Sequence, residues 1–157
     1  MRGNYPQAYF VSWGTYGIRL HGSSKPHVDR DHNEYGAPFA PTDPNRKRAA
    51  RERMGGDPIR LTLEQRKVVE DAIRDVCARY GWTIHSLAVQ TDHTHVVLTA
   101  FRDGEALREA LKAVASRTLN KQFGKRRWWA EGGSTKYLWE RSYFKNSTSY
   151  VQRQRDF

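Results

Sequence analysis

The sequence predicts an α+β sandwich of the ferredoxin-like kind, with an antiparallel sheet, two helices on one face and a C-terminal, tyrosine-bearing helix on the other. Three observations predict it. Apolar, β-branched runs and helical stripes follow one another in the order β-α-β-β-α-β, with a further helical segment after the last strand. The chain has 157 residues, which suits a single domain able to bury a core without disulfides or a structural metal. Its lone cysteine, Cys77, excludes an internal disulfide framework and any Cys-based zinc ribbon, and reads as a small core residue.

Each element has a local reason. Residues 8–13, Ala-Tyr-Phe-Val-Ser-Trp, form a β-branched and aromatic run, with Gly14 and Gly17 as breakers after it. From Gly22 to Arg60 come five of the six prolines, many charges and little apolar periodicity. This stretch reads as a long insertion in the single domain 1–157, with a short basic helix expected over 46–53. A loop of that length is more often functional or disordered than inert. Thr62 and Gln65 have capping-box spacing, and Val69, Ile73, Val76, Cys77 and Tyr80 make one apolar stripe that Gly81 ends. The runs 82–90 and 93–101 read as a hairpin divided by Thr91 and Asp92. Leu107, Leu111, Val114 and Leu119 mark a second helix over 104–123, stopped by Gly124. A basic loop follows, then a short edge strand at 136–139 and a terminal helix over 142–154. With three residues after Gln154, the last turn of that helix is expected to fray.

No apolar run approaches the ~18 residues a membrane span needs, and there is no signal-peptide h-region, so the expected location is the cytoplasm. The net charge of +10 favours a polyanionic partner. The charge is concentrated from Lys112 onward, where eleven Lys or Arg face only Glu131, Glu140 and Asp156. Trp128, Trp129, Trp139, Tyr137, Tyr143 and Phe144 are interleaved with them. Aromatic faces that stack bases, among cations that follow phosphates, suit single-stranded nucleic acid, although half or more of these rings are expected in the core. Arg117, Lys121, Lys125, Arg126 and Arg127 are the candidate phosphate contacts; a purely solvated role is the other reading of each.

The candidate chemistry starts at Asp92-His93-Thr94-His95. Side chains alternate along a strand, so His93 and His95 project from the same side, ~7 Å apart, while Thr94 faces away. Two imidazoles so placed can grip one divalent cation if a third ligand arrives. Alone, the pattern is weak, and two polar residues at a strand start would look the same. On the terminal helix Tyr150 and Gln154 are four residues apart and share a face. An amide oxygen could complete the metal site, and a tyrosine oxygen could attack a phosphorus polarised by the ion. Tyr143, on the same helical face, is the rival nucleophile. His85 reads as structural or DNA-facing, and His21 as loop architecture.

The sequence resembles the single-tyrosine HUH transposases, specifically the group that includes the REP-associated tyrosine transposases. The resemblance is carried by Tyr9-Phe10-Val11-Ser12-Trp13-Gly14-Thr15-Tyr16-Gly17, His21-Gly22, Val28-Asp29-Arg30 and Gly81-Trp82-Thr83. It continues through Asp92-His93-Thr94-His95-Val96-Val97, Gly133-Ser134-Thr135-Lys136-Tyr137-Leu138-Trp139 and Tyr150-Val151. It implies that His93 and His95 match the metal-binding pair, Tyr150 the nucleophile and Gln154 the metal-binding residue of the tyrosine helix. It further implies a nick in single-stranded DNA that depends on Mg²⁺ or Mn²⁺, leaving a 5′-phosphotyrosine and a free 3′-OH able to rejoin strands. The DNA would carry a hairpin or imperfect palindrome, and the protein would work as a monomer or homodimer near the bacterial nucleoid. The chain departs from the family pattern at Thr94, where a bulky apolar residue is usual, and at Arg155, where many relatives have the ligand. Two other functions stay open: a module that grips structured single-stranded DNA or RNA without cutting, and a hydrolase using water as nucleophile.

Overall fold

In a computed structural model the described residues are 4–18 and 58–157. His21, the expected helix over 46–53 and nearly all of the insertion lie outside them. The elements are strand β1 (Ala8–Gly14), helix α1 (Leu63–Tyr80), strands β2 (Thr83–Val89) and β3 (His93–Thr99), helix α2 (Gly104–Phe123), strand β4 (Ser134–Leu138) and helix α3 (Arg141–Gln154).

The helix ends follow the capping chemistry. The Thr62 hydroxyl accepts from the Gln65 N–H at 3.1 Å, and the Gln65 side chain accepts from the Thr62 N–H at 2.9 Å. Two otherwise orphaned donors at the start of α1 are thereby satisfied. Gly81 closes the helix in the left-handed region at φ 72°, where a side chain would be strained. Asp103 caps α2 by accepting from the Ala106 N–H at 3.0 Å. Helix α3 differs: Glu140 precedes it without a side-chain capping bond.

The sheet order is β2-β3-β1-β4, with every neighbouring pair antiparallel. This is the ferredoxin-like arrangement, with β1 in the middle and β2 and β4 as the edges. The Gln90 N–H donates to the His93 carbonyl at 2.7 Å and closes the β2–β3 hairpin. Strand alternation sends Tyr9, Val11, Trp13, Val89, Val96 and Leu98 to one face, where they pack with Val69 and Ile73 of α1 and Leu107 and Leu111 of α2. The opposite face holds a smaller cluster: Ala8, Ala88, Val97 and Leu138 against Val151 of α3, flanked by Phe10 and Phe144.

Several expectations are corrected. Strand β4 begins two residues earlier than its composition indicates, because Ser134 and Thr135 pair with Ser12 and Val11 of β1. Sheet context overrides a weak local alternation there. Tyr80 leaves the apolar stripe: at the last helical position it is exposed and stacks on Trp82, with ring centroids 5.0 Å apart. Of the six rings interleaved with the basic residues, Trp128 and Trp129 belong to the core and offer no faces to bases, Phe144 is partly buried, and Trp139, Tyr137 and Tyr143 are exposed. The indole N–H groups of Trp128 and Trp129 are spent on the Asn120 side chain and the Lys112 carbonyl. Lys112 is buried too. Its ammonium donates to the carbonyls of Ala130 at 2.9 Å and Gly132 at 2.8 Å, and burial pulls its pKa down, so it ties a loop rather than adding to the basic surface. Finally, Arg155 and Asp156 fold back on α1 and ion-pair with Glu70 and Arg66, so the end of α3 is anchored where fraying was expected.

Candidate metal and nucleophile site

His93 and His95 open strand β3 on the face that α3 covers, while Thr94 between them is fully buried toward the other side. The two rings lie parallel, within 3°, with centroids 5.9 Å apart. Each has a hydrogen-bond partner at Nδ1. For His93 it is the Asp92 carboxylate at 3.0 Å; for His95 it is the Ser12 hydroxyl at 2.7 Å. A carboxylate only accepts, so in the neutral ring Nδ1 of His93 carries the proton and Nε2 carries the lone pair that could ligate. Ligating histidines commonly have such partners, which fix ring orientation and tautomer.

Register explains the partners. Ser12 stands directly opposite His95, and Gly14 opposite His93. A Cβ at Gly14 would press on Ile18 at 3.1 Å and come into ordinary contact with His93 Nε2 at 3.7 Å, so the glycine lies against the ring. Ser12 is in turn held by a close approach from Gly133, where a Cβ would stand 2.4 Å from the Ser12 carbonyl oxygen and φ is +143°. Only glycine fits there.

Helix α3 brings Tyr150 to this face. Its ring is 6.3 Å from that of His95 and 6.1 Å from that of Phe10, with Phe10 and His95 6.0 Å apart, so the three rings form a triangle. Tyr150 is 43% exposed, open enough for a polymer substrate to reach. Gln154, one turn on, accepts from the Gln90 side chain through its amide oxygen at 3.0 Å and its carbonyl at 3.3 Å. Gln90 faces His93 across the hairpin, which puts Gln154 beside the histidine pair with its amide oxygen engaged by a neighbour. Tyr143 is 60% exposed and stands ~10 Å further up the helix. His85 occupies an irregularity in β2, bonded to the Thr99 hydroxyl at 2.7 Å with its ring against Phe144; burial lowers its pKa. These contacts support the structural reading of His85.

The basic candidates divide into two places. Arg117 and Lys121 are exposed on α2, across the sheet from Tyr150. Lys125, Arg126 and Arg127 are exposed in the following loop, which returns to the histidine end. The Arg127 guanidinium lies 4.7 Å over the Tyr16 ring, and the Tyr16 N–H donates to the Trp128 carbonyl at 2.8 Å. Tyr16 is two residues past Gly14, the register partner of His93.

Residue-by-residue reading of the sequence missed Ser12, Gly14, Gln90 and Asp92 as neighbours of the pair, and Phe10 and Lys136 beside the tyrosine. Lys136 pairs with Phe10 across β1 and β4, and its ammonium lies 5.7 Å over the Phe10 ring. Asp92 could have been found, since it directly precedes His93. The rest needs the register. Among the described residues no group of three or more His, Cys, Asp or Glu could hold a metal ion.

The antiparallel sheet thus carries paired histidines and a helix-borne tyrosine on one face. The chain belongs to the IS200-like transposase family: the family profile described as "Transposase IS200 like" matches residues 59–155. No curated protein matches the sequence. Among solved structures it is similar to a REP-associated tyrosine transposase bound to a REP hairpin, with TM-score 0.54 and 11% identity over 92% of this chain. The chain spans 63% of that protein's length. It is also similar to a Deinococcus radiodurans protein provisionally assigned as a transposase, with TM-score 0.53 and 16% identity over 98% of this chain and 94% of that one. At these identities the structural likeness speaks for the fold. No helix among the described residues is long and apolar enough to cross a membrane.

Proposed function

We propose that this protein nicks and rejoins single-stranded DNA through a 5′-phosphotyrosine intermediate, with hairpin-bearing DNA as substrate. The observation that carries the reading is the Tyr150 ring at 6.3 Å from His95, on the face where His93 and His95 lie parallel. The Tyr150 phenol oxygen would attack the scissile phosphorus after giving up its proton. The bond from phosphorus to the 3′ oxygen breaks, and that oxygen leaves as a 3′-OH on taking a proton. In the reverse sense a 3′-OH attacks the phosphotyrosine, the bond from phosphorus to the tyrosine oxygen breaks, and Tyr150 is regenerated.

Two imidazoles and an amide oxygen could hold a divalent cation, and the family resemblance points to Mg²⁺ or Mn²⁺. His93 and His95 would hold it through Nε2, and Gln154 through its amide oxygen once that oxygen leaves Gln90, with open positions for water and phosphate oxygens. When bound, such an ion supplies Lewis-acid polarisation of the phosphate. The chain's own residues orient the rings (Ser12 and Asp92) and neutralise phosphates (Lys125, Arg126 and Arg127 at the histidine end). A hairpin substrate is supported by the REP hairpin bound to a protein of the same fold and by the net charge of +10.

The test is a labelled hairpin oligonucleotide incubated with the protein and Mn²⁺. A covalent adduct stable in denaturing gels is expected, lost with EDTA and lost in Tyr150→Phe while hairpin affinity is kept. No adduct on any hairpin, in a protein that binds Mn²⁺, would reject the reading. The second reading, a module that grips structured single strands without cutting, draws on one observation: the Gln154 amide oxygen is already engaged by Gln90. It expects salt-dependent binding that survives both Tyr150→Phe and loss of His93.

A further inference from the structure

Helix α3 holds to the sheet through few of its own residues: Val151, Phe144, Tyr150 and, at its end, Gln154. Val151 is its one buried side chain, and its first turn has no side-chain cap. Phe144 adds a partly buried contact two turns earlier on the same face, but apolar contacts are non-directional and specify rotation about the helix axis less sharply than hydrogen bonds do. Yet a misplacement of ~1 Å at a reacting group can cost a hundredfold in rate.

Gln154 takes two hydrogen bonds from Gln90, and the contacts made beyond it are directional and reach further. Arg155 extends past the β2 edge, donating to the Leu87 carbonyl at 3.3 Å and ion-pairing with Glu70 on α1. Asp156 accepts from Arg66, whose Nε donates to the Val89 carbonyl at 2.8 Å. Leu87 and Val89 belong to an edge strand, so their carbonyls are the unpaired acceptors that such an edge exposes. The guanidinium carbons of Arg66 and Arg155 lie 4.9 Å and 5.5 Å from the centroid of the Phe157 ring. Arg66 and Glu70 are themselves buried, one turn apart on α1. The segment therefore crosses the β2 edge and joins the end of the tyrosine helix to the helix layer on the far side of the sheet.

We propose that Arg155 and Asp156 are positioning residues: a strap that fixes the rotation of α3 and so the placement of Tyr150 and Gln154 against His93 and His95. The proposal rests on the nicking reading for its catalytic consequence but not for its structural one. Arg155→Ala is the clean variant. Glu70 keeps Arg74 as an ion-pair partner at 3.0 Å, so no buried carboxylate is left alone, and Arg155 itself is partly exposed. Asp156→Ala is the second variant, with Arg155→Lys as the conservative control.

Two measurements are made on the full chain. In Arg155→Ala, amide exchange over 150–154 should quicken by at least about tenfold, the usual effect of losing a charge-assisted hydrogen bond, with the amides of α2 unchanged. Adduct formation at saturating hairpin should slow by at least about tenfold, with the half-saturating hairpin concentration unchanged, and Arg155→Lys should recover most of both. Unchanged exchange over 150–154 in both alanine variants would overturn the strap. So would faster exchange with an undiminished adduct rate. If the wild-type protein forms no adduct, the nicking reading and the catalytic consequence fall together, and the exchange measurement alone decides whether the strap holds the helix.

Discussion

The two faces of the sheet are built on different principles. Under α1 and α2 the contact is wide and apolar, from Trp13 and Val11 through Leu107, Leu111 and Leu119 to Trp128. Under α3 it narrows to Ala8, Ala88, Val97 and Leu138 around Val151, and the rest of the surface is given to His93, His95, Ser12 and Tyr150. Apolar area on the first face carries the folding free energy. On the second face polar side chains replace part of that area, and hydrogen bonds and ion pairs add to the contacts of Val151 and Phe144 that hold the helix. On the proposed reading, a site that has to admit a DNA strand could not also be sealed by a large core, and the division would let one sheet do both.

The largest break comes from the first face. Leu111 is fully buried, and Leu111→Ala should lose about 2–5 kcal/mol in urea unfolding. Cys77 supplies a second readout. Burial raises its thiol pKa to about 11, so at pH 8 almost none of it is thiolate, the reactive form, and the side chain is enclosed as well. Iodoacetamide should leave it untouched in the wild type and label it measurably faster in Leu111→Ala. Equal labelling rates would mean that the α1–α2 face opens independently of its own packing. Ser12→Ala probes the other face at smaller size. Loss of the bond to His95 Nδ1 should weaken Mn²⁺ binding about 10- to 100-fold by calorimetric titration, with the unfolding midpoint little moved. Unchanged Mn²⁺ affinity would rule out His95 as a ligand oriented by Ser12.

The same division governs what the sequence disclosed. Elements set by local chemistry were legible: the capping box at Thr62 and Gln65, the stop at Gly81, the hairpin turn before His93, and the period-2 and i, i+4 spacings that place His93 with His95 and Tyr150 with Gln154. What stayed hidden depends on register or on distant partners. Ser12 becomes a neighbour of His95 only through the β1–β3 pairing. Glu70 and Arg155, 85 positions apart, each look like ordinary surface charges. Trp128 and Trp129 sit in a run as basic and aromatic as any single-strand platform, and only the closure of their loop against β1 turns them inward. A mixed basic and aromatic composition therefore cannot separate rings that stack on bases from rings that fill a core.

The smallest effect separates the two faces as DNA surfaces. Every cation that meets a phosphate releases a counterion, so its removal lowers the slope of log affinity against log salt concentration by about 0.7 for single strands and about 0.9 for duplex. Arg127 lies at the histidine end, over Tyr16, whereas Arg117 is on α2, across the sheet from Tyr150. On the proposed reading, a hairpin whose scissile phosphate reaches Tyr150 would pass the first position and miss the second. Arg127→Ala should therefore reduce the slope by close to one ion's worth and weaken binding by a similar factor for every hairpin tested, since a phosphate contact reads no sequence. Arg117→Ala should leave the slope where it was. Equal reductions would show that the nucleic acid wraps onto α2 as well, and the division between a face for folding and a face for DNA would then hold for the apolar core but not for the charges outside it.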